Sequence, residues 1–95
     1  FKGKTLNSSA CKFVYQENNR TVSRLGLIVT KKHSKSAVKR NRVKRIIREN
    51  FRLSSVLKDK SIDIVAIVSK KVILSSELEL SKLIASNWNK FEENL

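Results

Sequence analysis

The chain has 95 residues, 40% of them hydrophobic, with 21 Lys and Arg against 8 Asp and Glu and a formal net charge of +13. That length supports one modest core and so one domain, 1–95, and the hydrophobic fraction excludes a disordered polyelectrolyte. The positive excess points to nucleic acid first and an anionic membrane second. The longest apolar run, Ile64 to Val68, is far too short to cross a bilayer, and no secretory signal pattern is present. A single cysteine, Cys11, cannot form an internal disulfide, so a reducing, cytoplasmic setting is expected.

In chain order, residues 1–10 contain Gly3 and the polar cluster Asn7, Ser8 and Ser9, and read as an irregular or short-strand lead-in. Residues 11–16 (CKFVYQ) alternate with period two, placing Phe13 and Tyr15 on one face of a strand and Val14 on the other. Residues 17–21, centred on Asn18 and Asn19, form a turn, and a hairpin to the next strand is expected. Residues 24–30 (RLGLIVT) read as a strand buried on at least one face, with Gly26 marking a bulge or a close backbone approach.

Lys31 to Arg52 holds ten of the 21 basic residues and one acid, Glu49, so nine of the thirteen net charges sit in less than a quarter of the length. A basic loop comes first and supplies a Ser N-cap. From Ala37 the sequence reads as a helix without Gly or Pro that fades near Leu53. At about 100° per residue, Asn41, Arg45, Arg48 and Arg52 line one side with Lys44 beside them, while Val43, Ile46, Ile47 and Phe51 gather opposite and are expected to bury. A merely solvated face would mix signs, because opposite charges four residues apart stabilise a helix and like charges repel. This face has almost no acids. Arg prevails in its middle, and its planar fork suits phosphate. The helix is expected to bind a polyanion.

Residues 54–61 are mostly polar. Residues 62–68 (IDIVAIV) read as a strand covered on both faces. Ser76 and Glu79 have the spacing of a capping box, and a closing helix carries Leu80, Leu83, Ile84, Trp88 and Phe91 on one stripe, with Trp88 expected as a core anchor. Together these elements predict an α+β domain with one small sheet and helices packed on it.

No paired carboxylates stand where general acid/base work or hydrolytic metal binding needs them. His33 is the only histidine, so no His cluster or His-based triad can be built, and Cys11 lacks a partner base. The protein alone is not expected to be catalytic.

The run KKHSKSAVKRNRVKRIIRENFRL after the strand RLGLIVT resembles the signature of the bacterial ribonuclease P protein subunit. In that family a buried strand ends in Lys-Lys, followed by a basic loop and an Ala-Val-x-Arg-Asn-Arg-x-Lys-Arg helix. Here these are Lys31, Lys32, Ala37, Val38, Arg40, Asn41, Arg42, Lys44 and Arg45, with Arg48 and Glu49 one turn on. The later strand and the Trp-bearing last helix also fit, so the resemblance covers nearly the whole chain. Two departures stand out. The family usually opens with a short helix and two spaced phenylalanines, and this chain starts at what looks like the second of these, Phe1, so that helix is expected to be missing. His33-Ser34-Lys35-Ser36 stands where many members carry a glycine.

The resemblance implies a sheet of about four strands with a left-handed βαβ crossover through the long basic helix, against the usual right-handed rule, and a C-terminal helix packed on the sheet. It implies the protein subunit of an RNA-based endonuclease that removes the 5′ leader of precursor tRNA, an enzyme as a holoenzyme. The hydrolysis is carried by the RNA subunit with magnesium, and no cofactor is expected in the protein itself. Its partners would be ribonuclease P RNA and precursor tRNA, with no membrane and no obligate protein partner. Lys31, Lys32, Arg40, Asn41, Arg42, Lys44, Arg45 and Arg48 would contact RNA, and Phe1, Phe13 and Tyr15 would line a leader-binding cleft between the sheet face and the long helix. The alternative is a structural RNA-binding protein of ribosomal type with no role in cleavage. A protein-only nuclease lacks the acid and His constellation. A membrane-surface or calmodulin-type helix would need its apolar side free.

Overall fold

A computed structural model of the chain describes residues 3–29, 36–70 and 76–95. Four strands, β1 (Lys4–Asn7), β2 (Cys11–Glu17), β3 (Arg24–Ile28) and β4 (Ile62–Val68), form one mixed sheet in the order β1-β2-β4-β3. The helices are α1 (Ala37–Leu53), α2 (Ser55–Lys58) and α3 (Glu77–Glu93). This is the α+β architecture the sequence predicts, with two corrections in the sheet.

The first concerns strand pairing. The turn after β2 forms, with Asn19 at φ 55° and the Asn18 side-chain Oδ1 accepting from the Arg20 N–H at 2.8 Å. The strands it joins do not pair. β4 lies between them, antiparallel to β2 and parallel to β3. The hairpin is instead β1–β2, closed where the Ser8 N–H and Oγ both donate to the Cys11 carbonyl at 3.1 and 2.7 Å. Turn residues announce a reversal of the chain, but they cannot announce a later strand inserting into it.

The second concerns β4. Its residues alternate strictly between buried and half-buried, so it is covered on one face and not both. The covered face carries Cys11, Phe13, Ile64, Ala66 and Val68, and both long helices pack there. The β-branched residues on the other face, Val65 and Ile67, made the strand read as buried throughout.

α3 is seated by aromatic rings. Phe91 stacks on Phe13 with centroids 4.7 Å apart, Trp88 meets Phe13 edge-on at 5.8 Å, and Phe51 of α1 meets Trp88 at 6.4 Å. Trp88 is thus the core anchor expected of it, 2% exposed. α1 buries Val43 and Ile47, and partly buries Ile46 and Phe51 against the same core. Ser36 Oγ caps α1 by accepting from the Lys39 N–H at 3.3 Å, and Ser76 Oγ caps α3 through Glu79 in the same way. Ser54 ends α1 and caps α2, and its Oγ donates to Glu92 Oε2 of α3 at 2.9 Å. Buried Asn87 ties α3 to the first hairpin, accepting from the Ala10 N–H and donating to the Leu83 carbonyl, both at 2.8 Å. Burial pushes the Cys11 thiol up to about 12, which keeps it neutral and unreactive.

β3 and β4 are also clamped by side chains. Arg24 Nε donates to Asp63 Oδ1 at 2.8 Å, a second guanidinium nitrogen donates to Oδ2, and Asn18 Nδ2 donates to Oδ1 at 2.9 Å. The Arg24 hydrogen bond, then the one from Asn18, holds the Asp63 carboxyl down to about 2. Because this value is depressed, the clamp's contribution is complete above the ordinary carboxylate value of 3.8 and is lost as pH falls towards 2. The difference in thermal midpoint between the native chain and Asp63→Asn should therefore hold steady above that range and shrink below it. A difference independent of pH would remove the clamp from the folded state.

Candidate nucleic-acid interface

The long helix presents the stripe its periodicity predicts. Asn41, Arg45, Arg48 and Arg52 are exposed, and Lys44, Arg40 and Arg42 are half-buried at its margins. From Asn41 to Arg52 the stripe runs about 16 Å along the axis at 1.5 Å per residue. Arg45, Arg48 and Arg52 make no hydrogen bond or ion pair with any described residue, so their guanidinium forks face solvent unopposed. Three unpaired cations on one face repel one another, and an arriving polyanion relieves that cost. Lys31, Lys32, His33 and Phe1 lie outside the described residues.

The second surface is the uncovered face of the sheet. The register sets three rows across it: Thr5, Val14, Val65 and Gly26; Asn7, Lys12, Ile67 and Ile28; and Gln16, Asp63 and Arg24. None of these side chains joins the core cluster, and no described helix lies over them. Val14, Val65 and Ile67 are half-buried, Ile28 is 44% exposed, and Lys12 and Arg24 are exposed at the borders. The surface is thus an aliphatic floor edged by cations, and Asp63, its one described acid, is already neutralised by Arg24.

The expected cleft aromatics are not on this face. Phe13 is 1% exposed between Trp88 and Phe91, which leaves neither side of its ring open to a base. Tyr15 points to the same covered face. Its ring meets Phe91 edge-on at 5.1 Å, and it lines a separate recess of about 1060 Å³ with Lys4, Arg20, Glu17 and Asp59. The alternation of β2 correctly separated Phe13 and Tyr15 from Val14. It could not say which set the helices would cover, and the aromatics went to the core because they bury the most apolar area. Lys12, Val14, Val65 and Ile67, which the open face presents, were not singled out as candidates for the same reason.

Among the described residues no group of three or more His, Cys, Asp and Glu side chains could hold a metal ion, and no helix is long and apolar enough to cross a membrane.

Comparison with known proteins gives these surfaces a context. The family model described as Ribonuclease P matches residues 1–92. The chain is 43% identical over 76 residues to the Ribonuclease P protein component of Pseudoalteromonas translucida, spanning 80% of this chain but only 54% of that protein. It is 39% identical over 88 residues to the Ribonuclease P protein component of Desulfosudis oleivorans, spanning 93% of this chain and 72% of that one. The fold is similar to that of the Staphylococcus aureus RNase P protein, with a TM-score of 0.79 and 29% identity over 95% of this chain and 81% of that chain.

Phe13→Ala should cost about 3–5 kcal/mol of stability, as expected for deleting an enclosed ring, while leaving RNA affinity unchanged at temperatures where the variant stays folded. Weaker binding by a fully folded Phe13→Ala would return that ring to the interface.

Proposed function

This chain belongs to the ribonuclease P protein family, and on that premise we propose that it is the protein subunit of the ribonuclease P holoenzyme, completing an RNA enzyme that removes the 5′ leader from precursor tRNA. The observation that carries this reading is an unopposed arginine stripe on the same small domain as an uncovered aliphatic sheet face edged by cations. The stripe of Asn41, Arg45 and Arg48, with Lys44, Arg40 and Arg42 at its margins, binds structured RNA through phosphates. Arg suits this task because its fork donates two parallel hydrogen bonds to one phosphate.

The open sheet face takes the single-stranded leader. Riboses and base faces pack on Val14, Val65 and Ile67, and the backbone tracks Lys12 and Arg24. Contact of this kind tolerates any sequence, because it asks for apolar area and phosphate charge and not for a particular base edge. Hydrolysis belongs to the RNA subunit and its magnesium, and the protein's part is to bind and align. Lys31 and Lys32, just ahead of the long helix in sequence, add phosphate contacts. The working place of such an assembly is the cytoplasm.

The deciding experiment is a reconstitution at low magnesium with labelled precursor tRNA, a bacterial ribonuclease P RNA and this chain, with each component omitted in turn. Cleavage at the leader junction that requires both is expected. If the RNA's activity were unaltered although the protein bound RNA tightly, the ribosomal-type reading would replace this one. About five phosphate contacts to single-stranded RNA should give a slope of log K against log salt near −3.5. Arg45→Ala should flatten that slope by nearly one contact's worth, and an unchanged slope would place Arg45 outside the interface.

A further inference from the structure

Gly26 sits in the middle of β3, a strand at the edge of the sheet. Glycine inside a strand weakens it and usually has a local cause: a left-handed backbone, a bulge, or a neighbour too close for a side chain. None of these applies. Its φ is not positive, and its register with Val65 continues without interruption from Arg24 to Ile28. A Cβ there would meet Val65 Cγ2 at 3.7 Å and the Ile64 carbonyl oxygen at 3.9 Å, both ordinary contact distances. The fold has room for a side chain and does not use it.

The unused room opens onto the uncovered sheet face, where Gly26 ends the row of Thr5, Val14 and Val65. Arg24 and Ile28, two residues away on either side, both project from the same face and are exposed. The glycine is therefore a notch in the aliphatic floor between an apolar wall and a guanidinium. That guanidinium is fixed, because two of its five N–H donors are bound to Asp63. The other three remain for a phosphate.

We propose that the Gly26 notch seats one nucleotide of the single-stranded leader, its ribose or base lying against the β3 main chain and its phosphate meeting Arg24. This rests on the reading that the open face takes the leader. Glycine is kept there because a methyl group would occupy the space that the nucleotide fills.

The test uses the reconstituted holoenzyme, with dissociation constants measured for precursor tRNA carrying a 5′ leader and for mature tRNA without one. Gly26→Ala should bind the precursor about tenfold more weakly, the effect of one misplaced methylene, and Gly26→Val more weakly still. Mature tRNA should bind as before, and the thermal midpoint of the free Gly26→Ala protein should be equal or higher. Ile67→Glu, shown by its own melt to be folded, reports separately on the open face. If it weakens precursor binding while Gly26→Ala does not, the notch is refuted and the leader reading stands. If neither variant affects the precursor, the leader reading falls and the notch with it. A lowered midpoint for Gly26→Ala, or an equal loss for mature tRNA, would make the glycine a requirement of the fold and overturn the proposal.

Discussion

The seating of α3 on Phe13 decides what every other surface of this domain can do. A four-stranded sheet has two faces, and the described helices gather on one of them. Phe91 and Trp88 close on Phe13, Phe51 brings α1 to the same side, and both long helices end up on one face. The uncovered face of β1, β2, β4 and β3 then remains as a shallow floor. Because α1 turns Val43 and Ile47 inward to meet this core, its opposite side, with Arg45 and Arg48, must face outward. One packing event thus orients the arginine stripe and leaves the sheet face open.

The polar groups protect this arrangement without competing with it. Asn87 satisfies its own carbonyl oxygen and amide on the first hairpin and on α3, so a buried side chain that would otherwise cost stability fixes the helix in register. Ser54 does the same for the junction of α1, α2 and α3. Asp63 needs a different solution, since a free carboxylate on the open face would repel phosphate. Paired with Arg24 and Asn18, it organises the β3 edge and leaves the face with a net positive border.

Much of this was legible in the sequence, and the gaps have physical causes. The helical period of α1 identifies the outward residues because a helix with an apolar back has one way to sit on a core, and Asn41, Arg45 and Arg48 are exposed as that period requires. Its serine N-cap, Ser36, was equally readable, since capping is local chemistry; the part Ser54 plays at the other end was not. A strand is different: period two sorts residues into two faces and is silent about which face will be covered. Hence Phe13 and Tyr15 were read as cleft residues, and Val14, placed on the other face, and Lys12 were not singled out. The pairing of β2 with β3 failed for a related reason, because the partner that separates them is encoded some forty residues downstream, beyond the reach of any local signal. The open glycine in β3 was noticed, but a bulge and a free notch look alike until the register is known.

The position of β4 also governs how the molecule comes into being. Among the described strands only β4 touches both β2 and β3, and it pairs Cys11 with Val68, partners separated by most of the chain. Such long-range pairing gives high contact order, and the sheet cannot close early. Synthesis proceeds from the N-terminus, so the arginine-rich helix is made before the strand that completes the sheet and before the α3 rings that anchor it. For that interval the nascent chain carries a concentrated positive charge with no folded surface behind it. The stripe acquires its fixed outward direction late and all at once, when β4 slots between its neighbours and the core behind α1 closes.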